Sequence, residues 1–321
     1  MRRTWNGVAL GLAILASLGL AGCGHRHLVA RSAANQSTAS AVAAAVSEAA
    51  RSGSTAVVVP ASARPAAVSA ATRSGPVAVV VPASARPAAP LARPRFGDAD
   101  PVAWPGRTPA AYPVHGIDVS RWQGRIDWPV ARDHGVSFAF IKATEGADHS
   151  DPLFLDHWRA AGAAGVPRGA YHFYYFCRSA AEQAAWFIAN VPREAGALPP
   201  VLDVEWNGES KTCPRRPSPQ TVRSEMTTFL NLVGRHYDQT PIVYTTVDFW
   251  HDNQLWRVHG AQPWLRAVTR HPSEAYPDAS WWAFWQYSGT GLVPGIGEEV
   301  DLNAFAGSQA DWAIWLAANR L

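Results

Sequence analysis

From about Tyr112 onward the chain alternates apolar runs of strand length with segments of helical period, and this alternation limits the fold more than any other feature. The runs are Gly116–Val119, Ser137–Lys142, Gly169–Tyr174, Val201–Glu205, Ile242–Thr245, Trp264–Ala267, Trp282–Gln286 and Glu299–Leu302. Between several of them lie the helix candidates Pro152–Ala163, Ala180–Asn190, Pro219–Tyr237 and Ser308–Arg320. Strand–helix alternation predicts a parallel α/β sheet. About eight strands in roughly 210 residues predict a compact β/α barrel. The later segments are poor in helices, so the expected ring is irregular rather than a full eightfold repeat.

The first third of the chain has a different texture. Residues 1–109 hold 11 Lys+Arg against 3 Asp+Glu, a balance of +8, whereas residues 110–321 hold 17 against 22, a balance of −5. Of the 15 tryptophans, 13 lie after residue 110, so the core-forming part is the C-terminal one. Residues 23–110 are rich in Ala, Ser, Pro and Val, and the stretch Arg51 to Ala67 returns nearly unchanged as Arg73 to Ala89, a period of 22 residues. Two copies without aromatic residues are too few for a solenoid. A disordered tether is expected for 23–110, and a folded domain for 111–321.

At the N-terminus, Arg2 and Arg3 precede an apolar stretch, Val8 to Leu20, too short for a spanning helix. It ends in Leu20-Ala21-Gly22-Cys23, which resembles a bacterial lipoprotein signal. Residues 1–22 are therefore expected to be removed and Cys23 lipidated. Gly24 rather than Asp follows, which in a Gram-negative cell would favour the outer membrane, facing the periplasm. Two cysteines then remain, and in an oxidising compartment a Cys177–Cys213 disulfide is the natural pairing, with buried thiols as the alternative.

The chemistry concentrates in Leu202-Asp203-Val204-Glu205-Trp206. Residues i and i+2 of a strand face the same side, so Asp203 and Glu205 project together. Two carboxylates sharing a partly buried site do not ionise equally, and one pKa rises. That split suits a general acid beside an ionised partner, most commonly in glycoside hydrolysis. In β/α barrels the chemistry lies at the C-terminal ends of strands. Asp118 and Asp301, from the first and last runs, fall where they would join the pair. Asp203, deeper along its strand, is expected to stay ionised if it accepts hydrogen bonds; Glu205, flanked by Trp206, is expected to keep its proton.

Taken in order, His115-Gly116-Ile117-Asp118-Val119-Ser120, Trp122-Gln123-Gly124, Phe140 to Gly146, Arg168 to Phe173, Leu202 to Glu205, Ile242 to Thr245, Trp285-Gln286-Tyr287 and Val300-Asp301 resemble the family 25 glycoside hydrolases, the Chalaropsis-type lysozymes. The resemblance spans about Val114 to Gly307. It implies a flattened, irregular TIM-like barrel of eight strands with fewer helices, and cleavage of the β-1,4 bond between N-acetylmuramic acid and N-acetylglucosamine. Carried over by motif, Glu205 would protonate the leaving oxygen. Asp203 would stabilise the oxocarbenium-like centre, orient the 2-acetamido group or act as nucleophile, and Asp118 and Asp301 would shape the floor of the site. Tyr174, His172, Tyr244, Trp285 and Gln286 are candidates for sugar contact, with a satisfied core histidine the equal alternative for His172. Lys142 and Glu145 read as a structural ion pair. Tyr171 and Phe173 read as packing.

No His-Glu-x-x-His, Gly-x-x-x-x-Gly-Lys or Gly-x-Ser-x-Gly pattern occurs, and no metal or cofactor is expected. The acidic folded part disfavours nucleic acid. The expected partners are peptidoglycan glycan strands and, through the lipid, a membrane, with the protein a monomer. The alternative function is a non-catalytic peptidoglycan-binding envelope lipoprotein.

Overall fold

The structure, a computed structural model, describes residues 91–321. The leader, Cys23 and the duplicated segment lie outside the described residues. In chain order the strands are β1 (Gly97–Asp98), β2 (His115–Val119), β3 (Val136–Glu145), β4 (His149–Ser150), β5 (Arg168–Phe173), β6 (Val201–Val204), β7 (Ile242–Thr245), β8 (Gln262–Arg266), β9 (Phe284–Leu292) and β10 (Val300–Phe305). The α-helices are α1 (Trp128–Asp133), α2 (Phe154–Ala163), α3 (Ala180–Asn190), α4 (Pro219–Tyr237), α5 (Val247–Asn253), α6 (Pro272–Ala275) and α7 (Gln309–Asn319).

Eight strands close into a barrel in the order β9-β10-β2-β3-β5-β6-β7-β8, with β8 returning to β9. All neighbours are parallel except β10, which runs antiparallel to both β9 and β2. The wholly parallel sheet expected from the alternation is corrected at this strand. Only Val293 to Glu299 separate β9 from β10. A parallel return needs a crossover of about a dozen residues, so this connection can only reverse direction.

The inner layer is built by alternation along the strands. Phe138, Phe140, Val201, Ile242, Tyr244, Trp264, Phe284 and Phe305 form one buried cluster inside the ring. Two glycines make room for the rings. A Cβ on Gly116 would stand 2.5 Å from Phe138, and one on Gly169 2.9 Å from Phe140. A second, larger cluster packs the outer strand faces against the helices, with Phe187 of α3 and Phe229 of α4 fully buried. Helix α3 starts at a reciprocal cap between Ser179 and Glu182, and α4 starts at Ser218 with Pro219 in its first turn.

Helix α7 seals the N-terminal end of the barrel. Its Trp312 is buried and stacks on Trp315 at 5.3 Å, while packing on Phe138, Phe284 and Phe305. The opposite end, where β2 to β8 finish, is left open.

Folded chain begins well before residue 111, where the sequence reading placed the end of the tether. The Arg95 N–H donates to the His134 carbonyl at 2.9 Å, and β1 pairs with Gly291 and Leu292 of β9. Phe96 packs on His115, and Trp104 meets Trp285 edge-on at 5.1 Å. These two rings, isolated in an aromatic-poor stretch, are what dock it. Cys177 and Cys213 are disulfide-bonded, their Cα atoms 5.7 Å apart, and tie the loop after β5 to the loop after β6.

Candidate active site

The open end of the barrel holds a cleft of about 430 Å³ lined by Asp118, Asp203, Glu205 and Asp301. Register explains the meeting. Asp118 near the end of β2 stands opposite Asp301 of antiparallel β10, and Asp203 of β6 lies between Phe173 of β5 and Tyr244 of β7. Glu205 follows one residue beyond β6, on the same side as Asp203 and closer to solvent. Lys142 and Arg266 place two cations among these acids.

Asp118 is held rigidly. Its Oδ2 accepts from Asn303 Nδ2 at 2.7 Å and from Gln286 Nε2 at 2.9 Å. Those amides are fixed in turn, since the Tyr244 hydroxyl donates to Gln286 Oε1 at 2.9 Å and Trp264 Nε1–H donates to Asn303 Oδ1 at 2.7 Å. The chain of donors orients both amides so that each presents N–H to the carboxylate.

Burial raises the pKa of all four acids. Asp118 is pushed up to about 6, held back by the two amides and by Arg266. Asp301 rises to about 8, through burial and then the charge of Asp118. Glu205 is raised by burial and moderated by Arg266. Asp203 is raised well above the usual carboxylate range, by burial and then by Glu205. Its Oδ1 is buried with no hydrogen-bond partner among the described residues. Ionisation of Asp203 was expected on condition that it accepted hydrogen bonds. That condition is unmet at Oδ1, and burial favours the protonated form of Asp203. The anion belongs first to Asp118, which has the donors. Their charges act on one another, Glu205 raising Asp203 and Asp118 raising Asp301.

The sugar-contact candidates divide by strand face. Tyr244 and Gln286 line the cleft. His172, Tyr174 and Trp285 do not. His172 is fully buried on the outer face of β5, its ring nitrogens bonded to Thr144 Oγ1 at 2.8 Å and Gln183 Oε1 at 3.1 Å, and it stacks on Phe229. The Tyr174 hydroxyl donates to Glu225 at 2.9 Å. Trp285 packs against Trp104, Tyr112 and His271, and its Nε1–H donates to the Ala267 carbonyl. Adjacent strand residues point oppositely, so a buried Trp285 follows from an inward Gln286.

Tyr171 and Phe173, read as packing, instead line the cleft. So do Arg266, Trp264 and Trp122. Alternation with Gly169 was the signal available for the first two. Trp122 is 70% exposed at the lip, where Arg121 lies 4.6 Å from its ring centre. Lys142 makes its ion pair with Glu145 at 2.6 Å and also sits 4.9 Å from the Phe173 ring centre. The cleft thus combines clustered acids of raised pKa with aromatic faces, an arrangement able to protonate a glycosidic oxygen and to pack on pyranose rings.

Residues 117–296 match the family model for glycosyl hydrolases family 25. The chain is 41% identical over 209 residues to the uncharacterized protein YegX of Escherichia coli K12, covering 63% of this chain and 73% of that one. It is 36% identical over 216 residues to lysozyme M1 of Streptomyces globisporus, covering 61% and 69%. Among solved structures it is similar to a family 25 glycosyl hydrolase from Bacillus anthracis, with 34% identity, a TM-score of 0.59 and coverage of 63% and 93%. A bacterial lysozyme from Streptomyces coelicolor gives 34% identity, a TM-score of 0.56 and coverage of 64% and 96%.

Proposed function

Because this chain belongs to family 25 of the glycosyl hydrolases, we propose that its cleft cuts peptidoglycan at the β-1,4 bond from N-acetylmuramic acid to N-acetylglucosamine. It is a muramidase-type glycoside hydrolase, and the finer reading concerns the bond and the roles. The observation that carries it is the gathering of Asp118 of β2, Asp203 of β6, Glu205 just beyond it and Asp301 of β10 in one open cleft.

Glu205 is the general acid. Burial raises its pKa, and its position outside β6 puts it nearer solvent than Asp203. It gives that proton to the glycosidic oxygen as the bond to the muramic C1 breaks. The N-acetylglucosamine leaves as an alcohol, and positive charge develops at C1. Asp118, anionic and held by two amides, supplies the negative field for that charge. Asp203 orients the 2-acetamido group. Water then adds its oxygen to C1 and returns a proton to Glu205.

The Trp122 face and the Tyr171 and Phe173 rings supply the packing surface for the glycan. Anchorage belongs to the same proposal. A lipid at Cys23 would hold the enzyme at the envelope, and metabolic labelling with a fatty acid in wild type and Cys23→Ser tests it. For the activity, purified sacculi are digested and the reducing-end sugar is identified by mass spectrometry. N-acetylmuramic acid at the new end is expected; N-acetylglucosamine there, or binding without release, contradicts the reading.

A further inference from the structure

A second groove, of about 530 Å³, lies on the outer side of the β7–β8 pair and shares no lining residue with the catalytic cleft. Val243 contributes to it, while the next residue, Tyr244, faces the catalytic cleft, so the two sites occupy opposite faces of one strand. Three tryptophans line it. Trp281, on the loop before β9, is 50% exposed, and Trp256, in the 3-10 turn Leu255–Arg257, is 37% exposed. Trp250 is 94% buried beside them, its ring 6.4 Å from that of Trp256, and its Nε1–H has no hydrogen-bond partner among the described residues. Of the lining side chains, only Asp278 and His259 are ionisable, and neither Lys nor Arg is among them.

We propose that this groove binds a second stretch of N-acetylated, β-1,4-linked glycan, outside the reacting segment. The inference rests on the glycan-cleaving reading for the choice of ligand. Flat exposed rings with polar groups between them suit the C–H faces and hydroxyls of uncharged pyranoses. The near absence of charge disfavours phosphate polymers and anionic lipid, which need cations. A neutral acetamido-sugar matches the exposed Trp256 and Trp281 rings and the polar side chains of Gln262, Ser280 and Asn319 among them. In a wall of many parallel strands, holding one strand while cutting another raises the local concentration of substrate.

The test uses the full chain carrying Glu205→Gln, so that sugar is bound and not cut, and equilibrium dialysis against the β-1,4 tetramer of N-acetylglucosamine. The Trp256→Ala/Trp281→Ala double variant, at two exposed positions, is compared in the same background. Loss of one bound equivalent in the double variant is expected. An unchanged number of equivalents, or no tetramer bound to either protein, overturns the proposal. Groove protection by a peptide spanning residues 51–67, with no tetramer response there, overturns it in favour of an internal occupant. In the chain with Glu205 intact, the double variant should keep its rate on soluble muropeptide oligomers and lose about tenfold on intact sacculi. Failure of sacculus cleavage by the unmutated chain would sink the catalytic reading, while the dialysis result would still report on the groove.

Discussion

Asp118 and Asp301 face each other across the antiparallel β2–β10 pair, yet only Asp118 receives side-chain amide donors, Asn303 at 2.7 Å and Gln286 at 2.9 Å. Burial raises both, but Asp118 stops at about 6 and Asp301 reaches about 8. Burial favours the protonated form of both, and the two amide donors favour the anion at Asp118.

A carboxyl whose folded pKa is raised binds more protons in the native state than in the unfolded chain. Its contribution to stability is present at low pH and falls as pH rises toward the folded pKa. For Asp301 that window runs from its ordinary value of 3.8 to about 8. Asp301→Asn should flatten the fall in Tm between pH 5 and 8, and should raise Tm at pH 8 by about 3 °C or more. Thermal unfolding across pH checks it; a variant curve parallel to that of the unmutated chain would contradict the assignment.

Glu205→Gln removes the transferable proton while keeping size and hydrogen bonding. Muropeptide release from sacculi should fall by about 10²- to 10⁴-fold, the usual worth of a positioned acid. Circular dichroism and sacculus binding should be unchanged, which separates lost chemistry from lost fold.

Asn303→Ala deletes one donor to Asp118 and strands the Trp264 indole N–H. Leaving a buried donor unpaired predicts a loss of about 1–3 kcal/mol in urea unfolding. The same change should move the acid limb of the activity profile upward, because Asp118 would give up its proton less readily. Gln286→Ala should move the limb in the same direction.

Gly116→Ala tests the inner layer. The added methyl would fall against the Phe138 ring and carbonyl. Overpacking of this kind costs about 1–3 kcal/mol, measurable as a lower urea midpoint. Gly124→Ala makes an instructive comparison: nothing lies within 4 Å of its added carbon, but its φ of +59° penalises the side chain through the backbone instead.

Most of the barrel was legible because its strands are short apolar runs set between turn residues. Helices α3 and α4 were readable to their ends because Ser179, Glu182, Ser218 and Pro219 mark them chemically. Helices α1, α5 and α6 have 6, 7 and 4 residues, too few for a periodic signal. The direction of β10 was legible only through the length of the segment before it. The acids were found because strand ends collect at one mouth. The aromatic contacts were half missed for a different reason. A run such as Gly169 to Tyr174 is apolar on both faces, and composition does not say which face looks inward. Anchoring the parity on Gly169 gives Tyr171 and Phe173 rather than His172 and Tyr174.

The described chain starts beside the plug formed by α7. Leu91 packs with the interior cluster that includes Trp312, and Pro94 touches Gly135 just ahead of β3. The upstream polypeptide thus joins the barrel at its shut pole, and the carboxylates occupy the other. The mouth is thus clear of the point where the described chain enters, and a glycan can reach the acids without meeting Leu91 or Pro94.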